Sequence, residues 1–186
     1  MHTDIFSLFF AVFPDRQAAA KIEQLATELR NVHDLKGKPV AVDRFHVSLH
    51  HLGFHDCMPA AIVKNAERAA AEARGTSFGV TFNRIESFKG QSNRHPFVLS
   101  GDAGLKTLRE FHQRLGVSLK KTGLGRYVSF SFTPHLTLLR GHRLIEEHPV
   151  VPAIGWNVKE FSLVWSHYGK SRHEVLGAWP LCEAIA

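Results

Sequence analysis

The sequence predicts an α+β fold, in which strands and helices follow one another along the chain. Its 186 residues are 44% hydrophobic and 22% charged, which is the balance of an ordinary globular protein. Apolar residues recur with a strand period in some stretches and a helix period in others, and no Gly/Ser-rich linker separates them. We therefore expect a single domain over residues 1–186 rather than a disordered chain, a coiled coil or several domains.

The first part of the chain predicts a β-α-β-α unit. Residues 5–13 are rich in Phe and Val, as in a buried strand, and residues 15–30 carry apolar side chains at helical spacing. Residues 44–52 predict a second strand. The Ala-rich segment 59–74 predicts a second helix, which Gly75 can end.

The second part of the chain predicts one further helix among five strands. The helix covers residues 105–121, where Leu and Phe residues lie close to helical spacing, and Gly123 can end it. The strands are rich in β-branched and aromatic residues, and they cover 77–88, 96–100, 127–139, 156–167 and 174–181. Together these elements should pack as one α+β body.

Charge and cysteine content narrow the partners and the compartment. The net charge of +6 favours a polyanionic partner, with nucleic acid first, because cationic surfaces release counterions from phosphates. The two cysteines form neither a disulfide framework nor a C-x-x-C pair, which fits a reducing cytoplasm. The longest apolar run, 8–13, is too short for a bilayer that needs about 20 apolar residues, so we expect no membrane association.

One short pattern, H-Φ-[ST]-Φ with Φ apolar, occurs twice, about half the chain apart. His46 and Ser48 belong to the first copy, and His135 and Thr137 belong to the second. In a strand, alternation places the imidazole and the hydroxyl of each copy on one face and the apolar residues on the other. Each strand therefore offers a proton carrier beside a hydrogen-bond donor.

Two such strands facing one cleft could hold a phosphate with two hydroxyls and flank it with two imidazoles. An unperturbed imidazole titrates at about pH 6.5, so one can serve as general base while the other serves as general acid. This pattern favours metal-free phosphodiester chemistry. The alternative is that both histidines are structural residues, with hydrogen bonds to backbone or water.

At these residues the sequence resembles the 2H phosphoesterase superfamily, which is named for its two H-x-[ST]-x motifs. Within it, the sequence is most similar to the bacterial LigT-like RNA 2′,3′-cyclic phosphodiesterases, also called 2′-5′ RNA ligases. The likeness spans nearly the whole chain. Besides both motifs, it includes the segments 8–12, 133–140, 160–163, 174–176 and 179–181.

The resemblance implies a bilobal α+β fold, with two pseudo-symmetric lobes whose antiparallel-rich sheets face a central cleft and whose helices lie outside. His46 and His135 would be the acid-base pair, and Ser48 and Thr137 the phosphate-binding hydroxyls. Arg140 would be a further phosphate contact. The reaction would be hydrolysis of an RNA terminal 2′,3′-cyclic phosphate to a 2′-phosphate, with reversible 2′-5′ joining of RNA ends as a side activity.

Several residues depart from the family pattern. Ser7 stands where relatives commonly have Arg, and Ser48 stands where they commonly have Thr. His50 and His51 replace a small residue and an aromatic residue. His51 can still stack on a base, and we expect Phe10 to be the aromatic platform of the substrate site.

Two further expectations concern Arg140 and the histidines at the first motif. Arg140 is out of step with His135 and Thr137, so a regular strand would point it away from the cleft unless a bulge or the strand end turns it inward. The histidines at 46, 50, 51 and 55 lack the neighbouring carboxylates or cysteines of a zinc site. We expect no metal and no cofactor.

Two alternative functions remain open from the sequence. One is hydrolysis of a small cyclic phosphodiester, such as ADP-ribose 1″,2″-cyclic phosphate or another cyclic nucleotide, or of a 2′-5′ oligonucleotide. The other is a module that binds RNA or nucleotides without turnover, against which the two proton carriers argue. No protein partner is predicted.

Overall fold

Eight strands and three α-helices make up the computed structural model, which describes residues 4–90, 94–170 and 172–183. In chain order these elements are β1 (Phe6–Val12), α1 (Arg16–Val32), β2 (Val47–His55), α2 (Ala60–Glu72), β3 (Phe78–Ser87), β4 (His95–Ser100), α3 (Lys106–Lys121), β5 (Leu136–Gly141), β6 (His148–Val158), β7 (Glu160–His167) and β8 (Arg172–Pro180). Over the same ranges, no helix combines the length and the apolar content that a membrane crossing needs.

The strands form an antiparallel sheet with the order β6-β3-β4-β5-β2-β1-β7-β8. The sheet has two halves of four strands, β6-β3-β4-β5 and β2-β1-β7-β8, which meet between β5 and β2. At this seam Val47 is paired with Leu136. The prediction of an α+β fold with antiparallel-rich halves is confirmed, and the two motif strands are the ones that meet at the seam.

All three helices pack on one face of the sheet, which we call the helix face. Side chains from β1 such as Phe10 share the large core with Ile22 of α1, Ala66 of α2 and Leu108 of α3. On the opposite face, which we call the open face, Phe9 forms a separate small cluster with two other buried residues of β1 and β7, Ala11 and Val164. Among the residues that the structure describes, no helix packs on the open face.

Two predicted strands differ from those observed. The predicted strand 127–139 begins only at Leu136, and a 3-10 turn (Gly125–Tyr127) and irregular chain precede it. Pro134 has no N–H for a ladder hydrogen bond, which accounts for the late start. The predicted strand 156–167 is two strands, because the chain reverses at Lys159 between β6 and β7.

The seam between the two halves is short because another segment takes the edge of β5. After Leu136, the edge of β5 that faces β2 pairs instead with the loop that follows α1. In this loop the Val40 N–H donates to the Leu138 carbonyl at 2.8 Å. Gly37 allows this close approach, since a Cβ there would lie 2.1 Å from the Arg140 carbonyl oxygen. The seam is thus confined to the start of both motif strands.

Candidate active site

The two motif histidines lie one residue before their strands, at the seam. Val47 and Leu136 are fully buried toward the helix face and are paired across the seam. Continuing this antiparallel register by one residue on each side sets His46 opposite Thr137 and Ser48 opposite His135. These four side chains leave the sheet on the open face, and we call them the motif square.

The motif square has its imidazoles on one diagonal and its hydroxyls on the other. Directly opposite residues have Cβ atoms about 4.5–5.5 Å apart, and diagonal neighbours are about 7–8 Å apart. A phosphate above the centre would therefore have an imidazole on each of two opposite sides and a hydroxyl on each of the other two. This arrangement suits in-line displacement at phosphorus.

Each imidazole is oriented by a hydrogen bond to the main-chain carbonyl two residues before it. His46 Nδ1 lies 2.7 Å from the carbonyl oxygen of Arg44, and His135 Nδ1 lies 2.8 Å from the carbonyl oxygen of Thr133. A carbonyl only accepts, so Nδ1 carries the hydrogen in each ring. Nε2 is then the nitrogen that gains and loses a proton in both histidines.

His46 sits among aromatic rings. The ring centroids of Phe9, Phe13 and His173 lie 5.1, 6.2 and 5.2 Å from its own. Burial lowers the pKa of His46 below its usual value, and electrostatic interactions with Arg44 and His135 lower it further, against the carbonyl hydrogen bond, which raises it. His46 is therefore favoured in its neutral form.

His173 and Arg44 extend the site on the side of His46. The guanidinium Nη2 of Arg44 lies 3.1 Å from His173 Nε2 and can donate to it. Burial, followed by the charges of His46 and Arg44, lowers the pKa of His173 to about 4, so this ring is neutral near pH 7. Neither residue was singled out from the sequence. The only signal for His173 was a histidine just before the predicted strand 174–181, and Arg44 was the first residue of the predicted strand 44–52.

His135 has a different neighbourhood. Phe88, the residue after β3, packs edge-on against its ring with centroids 5.0 Å apart. Sequence reasoning also missed Phe88, whose position depends on how the β3–β4 hairpin folds toward the seam. The two proton carriers are thus held alike by backbone but differ in the side chains around them.

A bulge brings Arg140 to the open face. Phe97 pairs with Leu139, whereas its neighbour Val98 pairs with Thr137, so β5 has one extra residue. Leu138 and Leu139 are both fully buried, and Arg140 returns to the face of Thr137 and is exposed. From the sequence, Arg140 could face the cleft only if a bulge or the strand end turned it, and the structure has that bulge.

The same irregularity recurs in β2 and places His51. Ala11 pairs with Ser48, while Phe9 pairs with His51, so β2 also has one extra residue. Leu49 lies in the core of the helix face, and His51 returns to the face of Ser48. His51 in the first half therefore occupies the position that Arg140 has in the second half.

The prediction of Phe10 as a substrate platform is wrong. Phe10 is fully buried on the helix face, where it packs against Phe161 and Trp179 with ring centroids 5.9 Å away in each case. In a strand, a step of one residue exchanges the two faces, and Phe9 is the residue that faces the site. Phe9 is itself 6% exposed and supports the His46 ring from the side.

The four histidines near the first motif do not converge. His50 points to the helix face, where its Nε2 lies 2.9 Å from the carbonyl oxygen of His112. His51 lies on the open face, and His55 turns to a backbone carbonyl of its own strand. Among the described residues, no group of three or more His, Cys, Asp or Glu side chains is placed to hold a metal ion.

The fold and the motif square define a class, the 2H phosphoesterases: an antiparallel sheet whose two H-x-[ST]-x segments meet at its centre. A sequence model of the 2′-5′ RNA ligase superfamily matches residues 13–170. The chain belongs to this superfamily. Membership supports phosphoesterase or RNA ligase-type activity.

Solved structures agree with this fold. Escherichia coli LigT in apo form has a TM-score of 0.75 at 21% identity, over 97% of this chain and 99% of that one. The Thermus thermophilus protein TT0787 has a TM-score of 0.75 at 20% identity, over 96% of this chain and 100% of that one. E. coli LigT complexed with 3′-AMP has a TM-score of 0.69 at 24% identity, over 96% and 99%. A comparison with curated proteins found no match.

Proposed function

We propose that this protein hydrolyses the terminal 2′,3′-cyclic phosphate of RNA to a 2′-phosphate, without a metal ion, by acid-base catalysis between His46 and His135. The observation that carries the proposal is the register of Val47 with Leu136, because it sets the two imidazoles on one diagonal of the motif square. The nucleotides in the E. coli LigT structures, which were solved with ATP and with 3′-AMP, support a nucleotide substrate.

In the proposed reaction, the hydroxyls of Ser48 and Thr137 donate hydrogen bonds to the non-bridging phosphate oxygens, and Arg140 adds positive charge. Nε2 of His46 takes a proton from a water molecule as its oxygen attacks phosphorus. The bond between phosphorus and O3′ breaks, and Nε2 of His135 gives its proton to O3′. The products are a 3′-hydroxyl and a 2′-phosphate, and proton exchange with solvent restores both histidines.

The surroundings of the two histidines support this division of roles. A general base must be neutral before the reaction, and burial among rings beside the Arg44 guanidinium favours neutral His46. His135, which has only the Phe88 ring packed edge-on against it among the ring contacts described above, is the proposed acid. If the 5′-hydroxyl of another RNA takes the place of water, the same steps form a 2′-5′ linkage, which accounts for ligation as a side activity.

The proposed function is tested with an oligoribonucleotide that ends in a 2′,3′-cyclic phosphate. We expect a 2′-phosphate product, identified by chromatography against 2′- and 3′-phosphate standards, at the same rate with and without EDTA. The same oligonucleotide with a linear 3′-phosphate is the control and should remain unchanged. A 3′-phosphate product, or a loss of activity in EDTA that zinc restores, would contradict the proposal.

The pH dependence of kcat/KM should follow the lowered pKa of His46. A base with a lowered pKa is in its active, neutral form above that pKa, so the rate is present near neutrality and is lost as the pH falls below a midpoint under about 6.5. Because the charge of Arg44 lowers the pKa of His46, Arg44→Gln should move this acid limb to higher pH. Arg126→Gln, at an exposed site, is the control. An acid limb that Arg44→Gln leaves unmoved would refute the assignment of His46 as base.

A further inference from the structure

Three aromatic rings form a row on the open face, beginning beside the motif square. They are His51 and Phe54 of β2 and Tyr168 of the β7–β8 turn, and we call them the ring row. The centroids of His51 and Phe54 are 4.7 Å apart, and those of Phe54 and Tyr168 are 5.4 Å apart. Phe54 is 59% exposed and Tyr168 is 64% exposed, although large aromatic side chains are usually buried.

Strand pairing fixes the direction of the ring row. Phe9 pairs with His51 and Ser7 pairs with Phe54, so both rings lie on the face that carries Ser48. Ser48 pairs with Ala11 and β2 has two extra residues before Phe54, so the separation is that of the four residue steps from Ala11 to Ser7, roughly 13 Å at about 3.3 Å per residue. The row therefore starts next to the expected phosphate position and leads away from it.

The nearest ring of the row is fixed in place and uncharged. His51 Nδ1 accepts a hydrogen bond from the Gly53 N–H at 3.3 Å, so Nε2 carries the hydrogen and donates to the Ser7 hydroxyl at 2.9 Å. Burial and the neighbouring His55 lower the pKa of His51, in agreement with a neutral ring. Both edges of the imidazole are thereby engaged, and its face is left for stacking.

The outer rings also keep their faces open. Phe54 and Tyr168 meet edge to face, at 84° between their planes, so this contact covers at most one face of one ring and leaves the other faces to solvent. Flat, exposed rings beside a phosphate site are the means by which proteins bind single-stranded nucleic acid, because every base has a face that can stack. The net charge of +6 fits a polyanionic strand.

We propose that the ring row binds the bases of single-stranded RNA that precede the terminal cyclic phosphate, so that the preferred substrate is an oligonucleotide end and not a mononucleotide. This inference rests on the proposed function, because it takes the terminal phosphate to lie at the motif square. His51 stacks with a base near the phosphate, and Phe54 and Tyr168 stack with bases further along the strand. Specificity for base sequence is not expected, since stacking tolerates all four bases.

The test compares a mononucleoside 2′,3′-cyclic phosphate with oligonucleotides of increasing length that carry the same end. For the wild type, kcat/KM should rise with length. Phe54→Ala and Tyr168→Ala should each reduce the ratio of oligonucleotide to mononucleotide kcat/KM by about tenfold, while mononucleotide kcat/KM stays within about twofold. Phe54→Tyr, which keeps the ring, should retain the preference. Val117→Ala, an exposed apolar residue of α3, is the matched control.

A binding measurement separates this inference from the proposed function. Affinity for a fluorescent oligonucleotide with a 2′-phosphate end should fall about tenfold in Phe54→Ala and in Tyr168→Ala. If the wild type binds this strand through the ring row but hydrolyses no cyclic phosphate, the proposed function is wrong and the inference stands. Unchanged affinity and length preference in both variants would overturn it. The inference would also be overturned if Phe54→Ala and Tyr168→Ala changed only the oligomeric state, measured by light scattering. The ring row would then be a contact between copies of the chain.

Discussion

Alanine at His46 or at His135 is expected to lower kcat for cyclic phosphate hydrolysis by about 10²–10⁴, the usual contribution of a general acid or base. Both residues act in one proton-transfer step, so the double variant should be little slower than the slower single variant. Initial rates on an oligonucleotide with a cyclic phosphate end provide the measurement. His33→Ala, at the end of α1, is the histidine control and should retain full activity. Single variants that stay within a few-fold of the wild type would exclude acid-base catalysis by this pair.

The leaving group separates the roles of the two histidines. A 3′-deoxynucleoside 2′-(4-nitrophenyl) phosphodiester has no neighbouring hydroxyl to displace the aryl group, and 4-nitrophenolate needs no proton on its leaving oxygen. His135→Ala should therefore recover much of its rate on this substrate, whereas His46→Ala should remain slow, because water still needs a base. The opposite pattern would exchange the two roles.

Alanine at Phe10 is expected to reduce the free energy of unfolding by about 3–5 kcal/mol, the usual cost of removing a buried phenylalanine side chain. The side chain is fully buried and packs against Phe161 and Trp179, so its loss leaves a cavity in the core. Urea unfolding measures the change in the free energy of unfolding. An m-value equal to that of the wild type checks that both proteins unfold in a two-state transition. A stable Phe10→Ala protein with reduced affinity for RNA would instead return Phe10 to the substrate site.

Phe9→Ala is the matched variant one residue away. Phe9 belongs to a small cluster on the open face, so we expect a smaller loss of stability than for Phe10→Ala. Removing this ring exposes His46, and because burial is the largest cause of its lowered pKa, the acid limb of the pH profile should move to higher pH. If Phe9→Ala lost as much stability as Phe10→Ala and left the acid limb unmoved, the placement of the two residues on opposite faces of the sheet would be contradicted.

The fold class, and the common face that the motif residues of the candidate site share within each strand, could be predicted because their signals are local. Each motif needs only four consecutive residues, and alternation within a strand already places His46 with Ser48 and His135 with Thr137. The pairing of β2 with β5 could not be predicted in this way. It joins distant segments, and no local pattern specifies which strands become neighbours or in what register.

The remaining misses have equally physical causes. Phe9 and Phe10 are chemically identical neighbours in a run of apolar residues, so the sequence alone does not tell which face each one takes. In β5, the adjacent apolar pair Leu138 and Leu139 interrupts the alternation and is a signal for the bulge that brings Arg140 to the open face. In β2 that signal is weaker, because the second residue of the corresponding pair is His50, which looks polar although it is buried.

The carbonyl groups that orient both imidazoles belong to the main chain at Arg44 and Thr133. Every amino acid supplies the same acceptor, so a mutation at either position changes the local charge or volume but leaves the ring hydrogen on the same nitrogen. The hydrogen on Nδ1 of each motif histidine therefore does not depend on which side chains stand at positions 44 and 133. Homologues can diverge around the two histidines without having to rebuild a supporting side chain each time.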